Sequence, residues 1–327
     1  MRAIIQDGFG PAEVLRLSCV PMPEARSHDL IVRVRAAGVN RADILQREGF
    51  YTGQHFGESE LLGLELAGDV VAIGSEVTDI AIGDHIMAIV GGGAYAEYAR
   101  VDRAMAVPMP ARLSFREAAA VMEAFVTAVE AVYHLAGGVA GRSVLIHAAA
   151  GGIGSACVQL ATALGARVFA TAGNGRLDDV KGIGAEAVFD YRAGDWEVAL
   201  RDAVDGTGVD AVIDFIGGDY LAPNLRSLKP GGTLVQVGIL GGADDALFPL
   251  NLLLHNHLTI RGAVMKSRSA EEKRAMVERF AQIAWPLIAD GHVKPLIYAD
   301  FPLDQAANAH RLMEVGGGFG KIVLMCV

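Results

Sequence analysis

Ser143–Gly154 reads SVLIHAAAGGIG. An apolar strand runs into small residues, and Ser155–Leu164 then has the pattern of a helix. Strand, Gly-rich turn and helix form the context in which a dinucleotide fingerprint carries meaning. The spacing is AxGxxG, with Ala149 where the first Gly usually stands. Gly151 lets the backbone approach a pyrophosphate and Gly154 lets the helix pack closely on the strand; Gly152 and Ile153 complete the turn. The pyrophosphate is expected over the helix N-terminus, where free N–H groups and the dipole favour negative charge. The competing reading is a tight βα turn that binds nothing.

Working outward, short apolar strands alternate with helices. Strands are expected at Ser143–His147, Arg167–Thr171, Ala187–Asp190, Ala211–Phe215, Thr233–Val237 and Thr259–Ala263. Alternating β and α elements predict a parallel, doubly wound sheet. The first third differs. Leu30–Ala36 (LIVRVRA) alternates apolar and charged residues, and Leu66–Ile73 and Ala94–Arg100 are further strand candidates, punctuated by Gly and Asp. Ser114-Phe115-Arg116-Glu117 is a capping box, opening a long Ala/Val-rich helix to about His134, with a break expected near Met122. After Lys266 come a helix (Ala270–Asp290), an extended stretch, a helix (Leu303–Glu314) and a strand (Lys321–Met325) that can return to the first domain. The expected organisation is therefore α/β: a Rossmann domain over 123–265, and a mostly antiparallel, β-rich domain over 1–122 and 266–327.

The end of the second Rossmann strand separates two cofactors. A site for NAD places Asp or Glu there, about 20 residues beyond the glycines, to hold the ribose 2′-OH. Here the run is Thr171-Ala172-Gly173-Asn174-Gly175-Arg176. A carboxylate is missing and an Arg fork follows, which suits a 2′-phosphate and predicts NADPH. The plain alternative for Arg176 is an ordinary surface residue. Tyr191, ending the third strand, is placed to lie beside the adenosine phosphate or simply to pack.

Composition excludes several classes. The 327 residues are 52% hydrophobic and 20% charged, enough for well-filled cores and too apolar for disorder. A net charge of −10 without a Lys/Arg block argues against nucleic acid or a membrane surface as partner. Cys19, Cys157 and Cys326 lie far apart, which disfavours disulfides and sulfur-ligated metal. No apolar run reaches transmembrane length uninterrupted, and MRAIIQDGFG carries no apolar signal core; a cytoplasmic protein is expected. His255 and His257 form an HxH without Cys or carboxylate nearby, a weak metal signal, and His147 reads as a buried, hydrogen-bonded core residue.

Gly38–Tyr51 (GVNRADILQREGFY), Leu62–Gly68 (LGLELAG), Ala148–Gly154 with Gln159, Asp214–Gly218 (DFIGG), Lys229–Gly238 (KPGGTLVQVG) and Gly320–Leu324 (GKIVL) carry a resemblance. Through them the chain resembles, nearly end to end, the medium-chain dehydrogenase/reductase superfamily. The nearest branch is the zinc-free, zeta-crystallin-like quinone oxidoreductases. Zinc-dependent relatives have a Cys in the segment matching Gly38–Asp43 and a His in Gly-His-Glu; this chain has Asn40 and Leu64, neither a good zinc ligand. The four-Cys structural zinc lobe is also missing. Without a Lewis acid the chemistry suits an acceptor that is already electrophilic.

The resemblance implies a GroES-like catalytic domain, NADPH-dependent hydride transfer to a quinone, and no metal. It places Asn40 near the nicotinamide or substrate carbonyl and Tyr51 on the substrate pocket as a donor. Thr127 falls at the nicotinamide end, Gly217, Gly238 and Ile239 on loops flanking the nicotinamide, and Lys321 in a segment reaching over the cofactor. Plainer readings stand beside these: Asn40 supporting a turn, Tyr51 as pocket wall, Glu65 as an ion-pair partner, and Arg41 and Asp43 pairing with each other. The alternatives for the whole are an NADPH-dependent alkenal or enone reductase, and a non-catalytic NADPH-binding protein. Related proteins join sheets near Thr259–Ala263, which implies a homodimer or tetramer.

Overall fold

The computed structural model describes residues 1–51, 59–173, 175–243 and 246–326. They divide into two compact units. One comprises Met1–Val126, Lys266–Gln282 and Pro295–Val327; the other comprises Thr127–Met265 and Ile283–Lys294.

The first unit opens with β1 (Arg2–Gln6) and β2 (Leu15–Cys19), an antiparallel pair. Then follow β3 (Asp29–Val39), α1 (Arg41–Arg47), β4 (Glu65–Ile73), β5 (His85–Ile89), β6 (Tyr98–Asp102) and β7 (Ala106–Pro108). The short helices α2 (Phe115–Ala118) and α3 (Met122–Ala128) come next. The second unit holds β8 (Ser143–Ile146), α4 (Gly152–Ala163), β9 (Arg167–Ala172), α5 (Leu177–Gly182), β10 (Ala187–Asp190) and α6 (Trp196–Ala203). It continues through β11 (Val209–Asp214), α7 (Leu221–Ser227), β12 (Leu228–Gln236), α8 (Leu250–His255) and β13 (Thr259–Gly262). The chain then forms α9 (Ala270–Asp290), β14 (Ile297–Pro302), α10 (Ala306–Val315) and β15 (Lys321–Met325).

The sheet of the first unit runs β14-β15-β3-β4-β5-β7, with β6 also pairing β3. All its pairings are antiparallel except β14 with β15. Leu30, Val32, Val34, Leu66, Val70, Ile86, Ile322 and Leu324 fill its core; each such aliphatic side chain contributes about 1.5–3 kcal/mol on full burial. The second unit has a wholly parallel sheet ordered β10-β9-β8-β11-β12-β13. The strand order reverses direction between β8 and β11, and that switch point is where open α/β sheets bind ligands. The α/β reading with one parallel and one mostly antiparallel sheet therefore holds.

Three local expectations shift. The strand predicted at Ala94–Arg100 starts at Tyr98, because Tyr95–Glu97 pairs instead with the N-terminal strand: Ile4 N–H donates to Tyr95 O at 2.8 Å and Glu97 N–H to Arg2 O at 3.0 Å. The helix predicted from Ser114 breaks across 119–121, beside the break expected near Met122, but beyond Ala128 it widens into a π-helix at Val129–Leu135. The segment after Lys266 does not stay together: Ile283–Lys294 groups with the second unit. Gln159 accounts for this, accepting from Lys294 N–H at 3.1 Å and donating to Lys294 O at 3.0 Å.

Candidate functional site

In the second unit the fingerprint turn sits at the C-terminal end of β8. Ala148 holds φ +48°, Ala149 N–H donates to Thr171 O at 3.0 Å, and Gly151 N–H donates to Ala148 O at 3.0 Å. A Cβ on Gly154 would overlap the Ala148 carbonyl oxygen, a backbone atom that cannot swing away. Gly151 is the N-cap of α4 and supplies no side chain, so the helix start at Gly152 and Ile153 carries no side-chain cap from it. That is the arrangement a pyrophosphate fits.

The neighbouring strand ends complete the cradle. Gly173 follows β9, and a Cβ there would lie 3.6 Å from the Tyr191 ring. Tyr191 is 41% exposed and carries Arg192 over its face at 5.3 Å, with Arg192 Nε donating to its hydroxyl at 3.1 Å. Arg176 precedes α5 and contacts Asp179 at 3.0 Å, its side chain 32% exposed. Asn174 lies outside the described residues. Gly217 takes φ +67°, and its N–H, with that of Ile216, donates to the fully buried Asp214 carboxylate. Asn224 and Gln236 donate to the same carboxylate. Gln236 Nε2 also donates to Gly238 O at 2.6 Å, and Ile239 stands 57% exposed. Thr127 is buried on α3. His147 is fully buried between Thr171 Oγ1 (2.8 Å) and Asn224 Oδ1 (2.7 Å), as its place in the strand predicts, and burial lowers its pKa.

The first unit holds a different construction. Lys321, on β15, is buried; its ammonium contacts Glu65 Oε1 at 2.7 Å and donates to Val39 O at 3.0 Å and to Asn40 Oδ1. Asn40 Nδ2 donates to Glu65 Oε1 at 3.0 Å and, at 3.4 Å, to Gly38 O. The Glu65 carboxylate fits because residue 38 is Gly, where a Cβ would overlap it. Glu123 N–H donates to Glu65 Oε2 at 2.9 Å, seating the start of α3 on the same carboxylate. Asp43, fully buried, accepts from Asn40 N–H (2.8 Å), Gly63 N–H (3.2 Å) and the Tyr95 hydroxyl (3.1 Å). The suggested Arg41–Asp43 pair does not form: Asp43 faces inward to those donors, and Arg41 donates to Met313 O at 3.2 Å. Lys266 places its ammonium 4.3 Å from the Tyr51 ring centre and donates to Gln46 Oε1 at 2.7 Å.

Burial disturbs the titration of these groups. The Asp43 carboxyl is pushed up to about 6 by burial, against the pull of the Asn40 amide and the Lys266 charge. Glu123 is pushed up to about 7, first by burial and then by Glu65, with Lys321 opposing. Burial raises Tyr51, helped by the charges of Glu123 and Asp43, and burial lowers Lys266. The Asn40 amide has both its N–H groups engaged, so a bond from it to a bound carbonyl must replace the long contact to Gly38 O. Glu65 has the ion-pair role its plainer reading gave it. Sequence reasoning passed over Glu123 and Lys266. The available signal for the first was one carboxylate at the start of an otherwise small and apolar helical run, MEAFVTA.

Residues 26–111 match the alcohol dehydrogenase GroES-like domain family, and residues 152–282 match the zinc-binding dehydrogenase family. The chain is 33% identical to quinone oxidoreductase of Rattus norvegicus, over 99% of this chain and 98% of that protein. Among solved structures, the quinone oxidoreductase of Escherichia coli complexed with NADPH superposes with a TM-score of 0.88 at 27% identity, covering 99% of this chain and 100% of that one. The CurK enoyl reductase also superposes with a TM-score of 0.88, at 25% identity, covering 99% and 98%. With one parallel and one mostly antiparallel sheet, as expected, and full-length similarity to such enzymes, the protein belongs to the medium-chain dehydrogenase/reductase family of oxidoreductases, in its quinone oxidoreductase branch.

Proposed function

We propose that the protein is an NADPH-dependent, zinc-independent reductase that passes hydride to a quinone. The observation that carries this reading is the Asn40–Lys321–Glu65 cluster. An amide and a closed ion pair occupy the place where a zinc enzyme needs open ligands, and Leu64 cannot coordinate. The donor set therefore does not fit zinc. It does fit a nicotinamide dinucleotide: Ala149, Gly151, Gly152, Ile153 and Gly154 hold the pyrophosphate, and Gly173, Arg176 and Tyr191 hold the adenosine end. Gly217, Gly238, Ile239 and Thr127 serve the nicotinamide end.

Bound NADPH supplies the hydride. The protein's own part is to bind, orient and exclude water. Arg176 meets the 2′-phosphate, exchanging some of its contact with Asp179 for it. Tyr51, kept protonated by burial and neighbouring carboxylates, donates a hydrogen bond to the acceptor oxygen as charge develops there. Lys321 and Glu65 fix the Asn40 amide.

A second reading, reduction of a conjugated C=C bond, is favoured by the likeness to an enoyl reductase. Oxidation of NADPH and NADH by the purified protein, with 1,4-benzoquinone or an alkenal as acceptor, separates the two. Saturable turnover that prefers NADPH and the quinone is expected. Turnover on the alkenal alone moves the assignment to the second reading, and NADH preference removes the role given to Arg176. A twofold dimer is also proposed. β13 ends its sheet, and Leu250, Leu254 and Ile260 are exposed on β13 and the adjoining α8. Light scattering that shows a monomer rejects the dimer.

A further inference from the structure

We propose that Glu123 is the catalytic acid that delivers the proton completing the reduction. This rests on the reading of the site as a hydride-transfer centre. An acceptor that takes hydride gains two electrons and one proton and is left as an oxyanion. In the assigned step the Glu123 O–H bond breaks, an O–H bond forms on the acceptor, and Glu123 remains as a carboxylate. A proton from solvent restores it before the next turnover.

Among the carboxyls of the described residues, the geometry singles out Glu123. Asp43 is fully enclosed and accepts from three donors. Glu65 is fully enclosed as well, and holds Lys321, the Asn40 amide and the Glu123 N–H. Asn40 is an amide, not an acid. Tyr51 holds its proton more tightly than an ordinary phenol, so it donates a hydrogen bond but is a poor source of a proton. Glu123 is less enclosed than Asp43 or Glu65, and among the described residues its carboxyl oxygens have no hydrogen-bond partner.

Charge balance explains why a proton resides there. Glu65 and Lys321 form one closed pair. Asp43 and Lys266 attract each other. Glu123 is the third carboxyl. Glu65 and Asp43 repel its charge; Lys321 and Lys266 offset part of this, and Lys273, partly exposed on α9, adds weaker attraction. Among the described residues, the Tyr51 phenol also lies within reach of its charge. An acid held near 7 is matched to work at neutral pH.

The test is Glu123→Gln, with Glu123→Asp as the conservative variant. For Glu123→Gln, kcat on benzoquinone at pH 7 should fall by about a hundredfold, a common size for loss of a general acid. NADPH affinity, read by fluorescence titration, should stay unchanged, and Glu123→Asp should recover part of the rate. In the wild type, kcat should fall as pH rises through about 7, and turnover should slow in D2O; the Gln variant should lose both signatures. A Gln variant with wild-type kcat and the same pH limb overturns the proposal. If that variant does not fold, the wild-type pH limb and solvent isotope effect decide, and the absence of both overturns it. Should the wild type turn over no quinone or alkenal, the hydride-transfer reading itself fails. Isotope-edited infrared spectra then report separately whether Glu123 holds a proton at neutral pH.

Discussion

The cradle in the second unit is made largely of missing side chains, whereas the cluster in the first unit is made of side chains that titrate. Gly151, Gly154, Gly217 and Gly238 contribute close backbone approach, each with a backbone oxygen near where a Cβ would lie, and α4 contributes the amides of its first turn. Asn40, Asp43, Glu65, Glu123, Lys266 and Lys321 contribute charges and protons that must be counted together. A backbone cradle has the same donors at every pH. A buried ionic cluster has a proton inventory, and removing one member leaves the rest uncompensated.

The sharpest break in that comparison is Lys321→Met. It strands the Glu65 carboxylate in a fully enclosed place and should cost about 3–5 kcal/mol, read as a shift in the urea midpoint. Combining it with Glu65→Gln should return most of the loss; if the double variant is no better than the single one, the pair does not act as a unit. Next is Gly154→Ala in the cradle. The added methyl meets backbone, so a loss of about 1–3 kcal/mol is expected, together with a clear fall in NADPH affinity by calorimetry.

Arg176→Ala should weaken NADPH about tenfold, or roughly 1.4 kcal/mol, and leave NADH unchanged. Equal loss for both cofactors would move the 2′-phosphate contact elsewhere, with Arg192 over Tyr191 as the next candidate. The smallest effect is a pH dependence. Glu123 rises from 4.5 to about 7 and Asp43 from 3.8 to about 6, so within those windows the folded chain binds more protons than the unfolded one. Stability from these groups is therefore full at low pH and is lost as pH rises through the folded values. Glu123→Gln should raise the melting temperature slightly at pH 8 and have no such effect at pH 5. An identical gain at both pH values would show that Glu123 does not titrate as assigned.

The two constructions were unequally legible in the sequence. The parallel sheet announces itself through short apolar runs and glycines, signals that act within a few residues of one another. Strands β8 to β13 accordingly fall close to their predicted limits, except that β12 begins at Leu228 rather than at Thr233. The cluster is assembled from separations that no window spans. Glu123 meets Glu65 across 58 positions, and Lys321 meets Asn40 across 281. Glu123 was hidden by its own neighbours, which read as helix core. Asp43 was misjudged because a charged residue two positions away offered a local partner, while the three-dimensional structure gave it Gly63 and Tyr95.

The position of β15 has a consequence for how the molecule comes into being. It lies between β14 and β3, so the sheet of the first unit has an open slot until Lys321–Met325 has been synthesised. The parallel-sheet unit has all its strands by Gly262 and all its residues by Lys294, so it can fold while the other waits. Until β15 arrives, Glu65 has no Lys321 to face, and enclosing it would be unfavourable. The antiparallel unit thus closes as a late event of biogenesis, and the residue that completes its sheet also neutralises its interior.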